Sequence, residues 1–140
     1  MKDDGVGVHA IRSLSARKFP ANIKLEIIDG GLEPDLAVIV DEGVDKLIII
    51  DAVRANSPAG CIHRLTIDSV ENSGYETRSA HYLNMKQSLA LMRIAGTLPK
   101  EIIVIGIEPK DMSMGMELSP EITEKLPAVV EMVVGEITRN

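Results

Sequence analysis

Apolar residues along the chain switch between two spacings, and the switches mark the elements. Val8, Ala10, Ile11 and Leu14 recur at helical spacing in V-G-V-H-A-I-R-S-L-S-A-R-K, so residues 6–18 read as a helix closed by Phe19-Pro20. I-K-L-E-I-I (23–28) alternates and then turns apolar, which reads as a strand stopped by Asp29-Gly30-Gly31. Glu33-Pro34 suits a helix start, with Leu36, Ala37, Ile39 and Val40 as its buried face and Gly43 as its stop. K-L-I-I-I-D (46–51) is the clearest strand, and its apolar run Leu47 to Ile50 predicts burial on both faces at the centre of a parallel sheet. C-I-H-R-L-T (61–66) alternates like an edge strand, and residues 68–80 read as a loop. A helix is expected from about Tyr82 to Ile94, then a buried strand I-I-V-I-G-I (102–107) stopped by Glu108-Pro109. In the last helix Ser119 is placed as the cap and Pro120 as the first residue. Ile122, Leu126, Val129, Val130 and Val133 form its inner stripe, and Pro127 marks a kink or a later true start.

Helices alternating with strands in this order predict an α/β fold, a three-layer α/β/α sandwich around a twisted, mostly parallel sheet. The 140 residues suit a single domain. With aromatics at 2% and no Trp, the core must come from Ile, Val, Leu, Ala and Met. A net charge of -6 and scattered basic residues argue against a nucleic-acid binder, which needs a basic face and stacking rings. No apolar run approaches the roughly 20 residues that span a bilayer, and the N-terminus lacks a signal-peptide core. The single cysteine, Cys61, has no partner for an internal disulfide, which fits a reducing cytoplasm.

Ligand sites in open α/β sheets lie beyond the carboxyl ends of the strands. Asp29 follows one predicted strand, Asp51 closes another, Glu108 ends a further one, and Asp4 would join them if a strand preceded it. Carboxylates gathered at one edge repel unless a cation or a shared proton compensates, so a metal or an acid–base pair is physically reasonable there. His81 opens a helix, whose positive end disfavours imidazolium and keeps the ring in its ligating form. Two carboxylates and one neutral imidazole suit zinc or nickel with positions open for water or substrate. Each residue also has a plainer reading: Asp3 or Asp4 as a helix cap, Asp29 and Asp51 as turn formers, His81 as an exposed helix-start residue. His9, His63, Cys61 and the Met112, Met114, Met116 cluster read as structural. Gly5 and Gly7 make a poor dinucleotide signal, because no strand precedes them.

The ordered set of D-D-G-V-G-V-H-A-I (3–11), L-E-I-I-D-G-G (25–31), I-I-I-D-A-V (48–53), S-A-H-Y-L (79–83), G-I-E-P (106–109) and M-G-M-E-L-S-P-E-I (114–122) resembles the hydrogenase maturation endopeptidases, which process nickel–iron hydrogenases. The resemblance covers nearly the whole chain. It implies a sheet of about five strands and one endoproteolytic cut that removes a C-terminal extension from the hydrogenase large-subunit precursor after nickel insertion. It implies nickel ligation by Asp4, Asp51 and His81, with Asp29 another acidic residue near the cleft and Asp29 and Asp51 the catalytic, aspartyl-protease-like carboxylates. The nickel is expected to arrive with the precursor as a recognition handle rather than to act as a Lewis acid on water, with zinc or cadmium able to take its place in crystals. A monomer acting in the cytoplasm is expected. The family usually has Glu where this chain has Asp4, and it begins with an apolar strand ending in Gly-x-Gly-Asn. Here Met1-Lys2 stands directly before Asp3, so residues 1–140 are expected to form one domain lacking that first strand. The alternatives are a non-catalytic nickel- or precursor-binding module, and an unrelated α/β hydrolase or nucleotide binder, for which neither G-x-S-x-G nor a P-loop is present.

Overall fold

A computed structural model describes residues 6–28, 36, 40–53, 56–66, 80–110 and 119–139. Within them the elements follow as α1 (Val6–Ser15), β1 (Lys46–Ala52), β2 (Ile62–Thr66), α2 (Ala80–Ala95), β3 (Glu101–Ile107) and α3 (Pro120–Thr138). The sheet has the order β1-β3-β2. β1 runs parallel to β3, from Lys46 opposite Glu101 to Ala52 opposite Ile107. β2 runs antiparallel, from Ile62 opposite Ile107 to Thr66 opposite Ile103.

The pleat sends alternate side chains to opposite faces. On one face Ile103, Ile105, Ile107 and Ala52 pack with Ala10 and Leu14 of α1 and with Ile122, Val129, Val130 and Val133 of α3. On the other, Ile102, Leu47 and Ile49 pack with Leu89 and Met92 of α2 and with Leu36. Val104 gathers Val53 and Leu65 on that same face. These are the three layers expected. Fully burying one Ile or Leu side chain is worth roughly 1.5–3 kcal/mol, so these clusters outweigh the modest helix propensity of a Val-rich α3. Among the described residues no helix is long and apolar enough to cross a membrane.

Several expectations need correction. Among the described residues the central strand is β3, buried from Ile102 to Ile107, and β1 is an outer strand, half-buried except at Ala52. An apolar run records burial of side chains, whereas centrality depends on hydrogen-bonded neighbours on both edges. Residues 23–28 are irregular rather than a strand, although Ile27 packs against the α1–α3 core. Their pattern suits a pleat, but a strand exists only through a ladder. α3 begins at Pro120 and passes through Pro127 without a later start. Ser119 makes no side-chain cap bond. Instead its carbonyl accepts the N–H groups of Ile122 and Thr123, at 3.1 and 2.9 Å. Of the helix expected after Glu33-Pro34, Leu36 is helical and buried, and its carbonyl accepts the Val40 N–H at 3.0 Å. Residues 40–43 are not helical, with Gly43 at a φ of 89°, and positions 37–39 lie outside the described residues; so does the loop expected over 68–80, except Ala80, which opens α2.

Gly7 has a packing reason. A Cβ there would stand 2.6 Å from the carbonyl oxygen of Ile50, so only glycine lets α1 approach the backbone of β1 this closely.

The apolar stripe of α3 continues to an acid. Glu136 is 4% exposed. Lys46 donates to its carboxylate at 2.9 Å and to its backbone carbonyl at 2.8 Å. Arg64 pairs with the same carboxylate, and Arg139 reaches it at 3.0 Å. The Arg64 hydrogen bond, reinforced by Lys46 and opposed by burial, lowers the Glu136 carboxyl from its ordinary 4.5 to about 2. A depressed carboxyl stabilises the fold above the unfolded value and loses that contribution as pH falls through the folded one. Stability from this group should therefore be complete above about pH 4.5 and vanish towards pH 2. Glu136→Gln keeps the shape and deletes the charge. It should cost about 2 kcal/mol at neutral pH, less than the full shift implies because Arg64 and Arg139 are partly solvated. Denaturant titrations of both proteins across pH 2–7 check this: the stability gap should close on acidification, and a gap that persists at pH 2 contradicts it.

Candidate functional site

β1 and β3 are parallel and end together, while β2 starts at that same edge because it runs the opposite way. The register aligns Asp51 with Gly106, and Gly106 with His63. Residues opposite one another in a sheet project to one face, so Asp51 and His63 share the α2 face across a glycine. Asp51 is half-buried, and its Oδ1 accepts the N–H of Ala52 at 2.8 Å. That bond orients the carboxylate at the strand end.

Gly106 leaves room for a neighbour. The Val53 N–H donates to the Ile107 carbonyl at 3.0 Å, extending the β1–β3 ladder by one bond. Its side chain then folds over Gly106, where an added Cβ would meet Cγ2 at 2.6 Å and Cβ at 2.9 Å. Val53 thus forms an apolar floor between Asp51 and His63.

Beyond Val53 the chain turns back to β2. Asn56 adopts a left-handed φ of 58°, which Asn tolerates better than most residues. The Ser57 hydroxyl lies 2.9 Å from Nε2 of His63 and donates to Oε2 of Glu108 at 3.3 Å. Glu108 is buried at the end of β3. His63 is therefore part of a polar network rather than the plain strand residue expected, and Ser57 was not foreseen at all. The available sequence signal was the pair of chemistry-bearing residues, His63 and Glu108, at the start and end of neighbouring strands.

His81 is the second residue of α2, the helix-start position expected of it, and only that placement is described. Asp4 and Asp29 lie outside the described residues. Among the described residues no three His, Cys, Asp or Glu side chains gather as a metal group. Of the expected acidic and imidazole set, the structure thus locates the Asp51 side chain at the carboxyl edge and the His81 backbone at a helix start. Cys61 is half-buried just before β2, and its carbonyl accepts the Glu108 N–H at 2.8 Å. His9 lies within α1.

Gly106→Ala should lower stability by about 1–3 kcal/mol, because a β-branched valine anchored by its own backbone bond has little freedom to yield. Gly106→Ala combined with Val53→Ala should recover part of that loss. Thermal unfolding of the two variants checks the coupling, and equal midpoints would contradict it.

The sequence profile of the hydrogenase maturation proteases (HycI) matches residues 8–136. The hydrogenase expression/formation protein HupD of Thiocapsa roseopersicina is 30% identical over 134 residues, which is 94% of this chain and 60% of that protein. The chain thus spans less than two thirds of that relative's length. The hydrogenase maturating endopeptidase HybD from E. coli superposes with a TM-score of 0.86 at 25% identity, covering 98% of this chain and 85% of that one. The [NiFe] hydrogenase maturation protease HybD from Thermococcus kodakarensis superposes with a TM-score of 0.80 at 29% identity, covering 99% and 92%.

Proposed function

The chain belongs to the hydrogenase maturation protease family, and from that premise we propose that it removes the C-terminal extension of a nickel–iron hydrogenase large-subunit precursor once nickel has been inserted. The observation that carries this reading is the place of Asp51. It is the penultimate residue of a strand bonded along its length to the buried centre of the sheet, at the edge where α/β folds bind ligands. A carboxylate held there by the Ala52 N–H is preorganised, so little entropy is lost when it meets a ligand.

The nickel belongs to the substrate. Carboxylate oxygens and a neutral imidazole suit a borderline divalent ion, and the oriented Asp51 carboxylate fits that donor set. Asp4, Asp51 and His81 are assigned to hold the ion, with zinc or cadmium as chemical substitutes. Ligation of the ion brings the precursor's extension to the sheet edge. Cleavage then adds water across one peptide bond. The water oxygen bonds the carbonyl carbon, a carboxylate takes its proton, and the proton passes to the leaving amine nitrogen as the C–N bond breaks. Asp51 and Asp29 are the carboxylates assigned to this transfer, in the manner of aspartyl proteases. The reaction is assigned to the cytoplasm and to a monomer.

Two measurements test the proposal. A nickel-loaded precursor should be cut and the same precursor without nickel should not, read as the mass of the large subunit. Equal cleavage of both would remove the recognition role and favour a self-sufficient metalloprotease. Binding without cleavage would favour the alternative of a precursor-binding module.

Asp51→Asn should fold with the parent's thermal midpoint to within a few degrees and fail to process nickel-loaded precursor. The amide keeps the size but neither ligates a cation well nor takes a proton. Asp29→Asn should be milder if Asp29 lies behind the ligating residues, and Asp68→Asn should behave like the parent. Parent-like processing by Asp51→Asn would reduce the central carboxylate to a turn residue.

A further inference from the structure

Glu108 organises the return from β1 to β2 through three bonds. Its N–H donates to the Cys61 carbonyl at 2.8 Å, its carbonyl accepts the Gly60 N–H at 2.9 Å, and its carboxylate accepts the Ser57 hydroxyl at 3.3 Å. The residue is 6% exposed, so each of these bonds replaces one to water that burial has removed.

The Ser57 hydroxyl also stands 2.9 Å from Nε2 of His63. A hydroxyl carries one proton, and the Ser57 hydroxyl donates to Oε2 of Glu108. The Ser57 proton therefore goes to Glu108, and the Ser57 oxygen accepts from His63, whose Nε2 must carry the hydrogen. The chain has one direction: His63 Nε2–H to Ser57, then Ser57 O–H to Glu108. In the neutral ring this leaves the lone pair on Nδ1, an acceptor pointing out of the chain of bonds.

The position of His63 gives that acceptor a use. It is half-buried, on the same sheet face and in the same row as Asp51, two strand spacings away. Two spacings are about 10 Å, which roughly three residues of extended peptide cover. Val53, seated over Gly106, supplies an apolar floor between the two.

We propose that His63 contacts the peptide of the precursor, its Nδ1 accepting a backbone N–H, and that Ser57 and Glu108 are positioning residues that fix the tautomer and orientation of its ring. The proposal rests on the processing role given above for the substrate, whereas the direction of the hydrogen-bond chain does not.

Nuclear magnetic resonance of the ¹⁵N-labelled protein tests the chain without substrate. His63, assigned by the signal lost in His63→Leu, should show a protonated Nε2 with a slowly exchanging hydrogen. Ser57→Ala should abolish that slow exchange and Ser57→Thr should restore it. A ring protonated at Nδ1 instead, or an Nε2 hydrogen indifferent to Ser57→Ala, overturns the assigned direction. Cleavage of nickel-loaded precursor tests the contact. His63→Leu and Ser57→Ala should each raise KM about fivefold, as for one lost hydrogen bond, with kcat within about twofold, and Ser57→Thr should recover most of the loss. Parent-like KM in His63→Leu, with parent-like thermal unfolding, overturns the contact. A parent protein that leaves the precursor uncut removes the processing reading and the contact with it, while the resonance data still decide the chain.

Discussion

The parallel ladder between β1 and β3 is the constraint from which the rest follows. Its register puts Lys46 opposite Glu101 at one end and Asp51 opposite Gly106 near the other. Side-chain direction alternates with every residue, so a slip of one position would exchange the faces of the whole strand. Ile48, Ile50 and Ala52 would leave the α1–α3 core, and Asp51 would turn towards it. Burial of these residues thus specifies where the Asp51 carboxylate stands. The close approach of Gly7 to the Ile50 carbonyl ties α1 to the same strand.

Two buried carboxylates mark the two ends of the sheet and are compensated differently. Near the amino end, Glu136 meets cations from β1, β2 and its own helix C-terminus, and the net result is a carboxyl held well below its ordinary range. That arrangement is electrostatic and links two strands of the sheet to α3 in the neighbouring layer. At the carboxyl end, Glu108 is held through a serine hydroxyl and the backbone groups of the β1–β2 connection. A single hydroxyl joins this acid to the neighbouring imidazole, in contrast to the ion cluster around Glu136. The division places the Glu136 charge pairing at the end of the sheet opposite Asp51 and Glu108.

Family membership and geometry contribute different things to the functional reading. The family supplies the reaction class, and the superposition extends over nearly the whole chain. The geometry supplies a reason for Asp51 in particular: a strand end fixed by its neighbours, a backbone donor on the carboxylate, and a glycine beside it that admits Val53. The proposed ligation by Asp4, Asp51 and His81 comes from the family resemblance.

Local pattern was enough for most elements. Helical spacing placed α1 and α2, apolar runs placed β1 and β3, alternation identified β2 as an edge, and Ser119-Pro120 located the start of α3. The ordered motifs also identified the family, because each small segment carries chemistry that the chain order then combines. What pattern could not supply was pairing. Residues 23–28 alternate as a strand should, yet strand formation is a property of two segments, and no ladder forms there. β1 has a more continuous aliphatic run than an edge needs, and only the hydrogen bonds distinguish it from the central β3. Glu136 was legible in principle, being seven residues beyond Val129 and three beyond Val133 on the buried stripe of α3, but its partners Lys46 and Arg64 lie 90 and 72 residues away. Ser57 joins His63 and Glu108 only because a turn and an antiparallel return bring them together. The sequence by itself determined the elements, the layers and the candidate chemistry, since these depend on periodicity and residue type over short spans. Tertiary structure alone decided which described strand is central, which buried acids meet which partners and that Ser57 joins His63 to Glu108, since those depend on contacts between residues far apart in the chain.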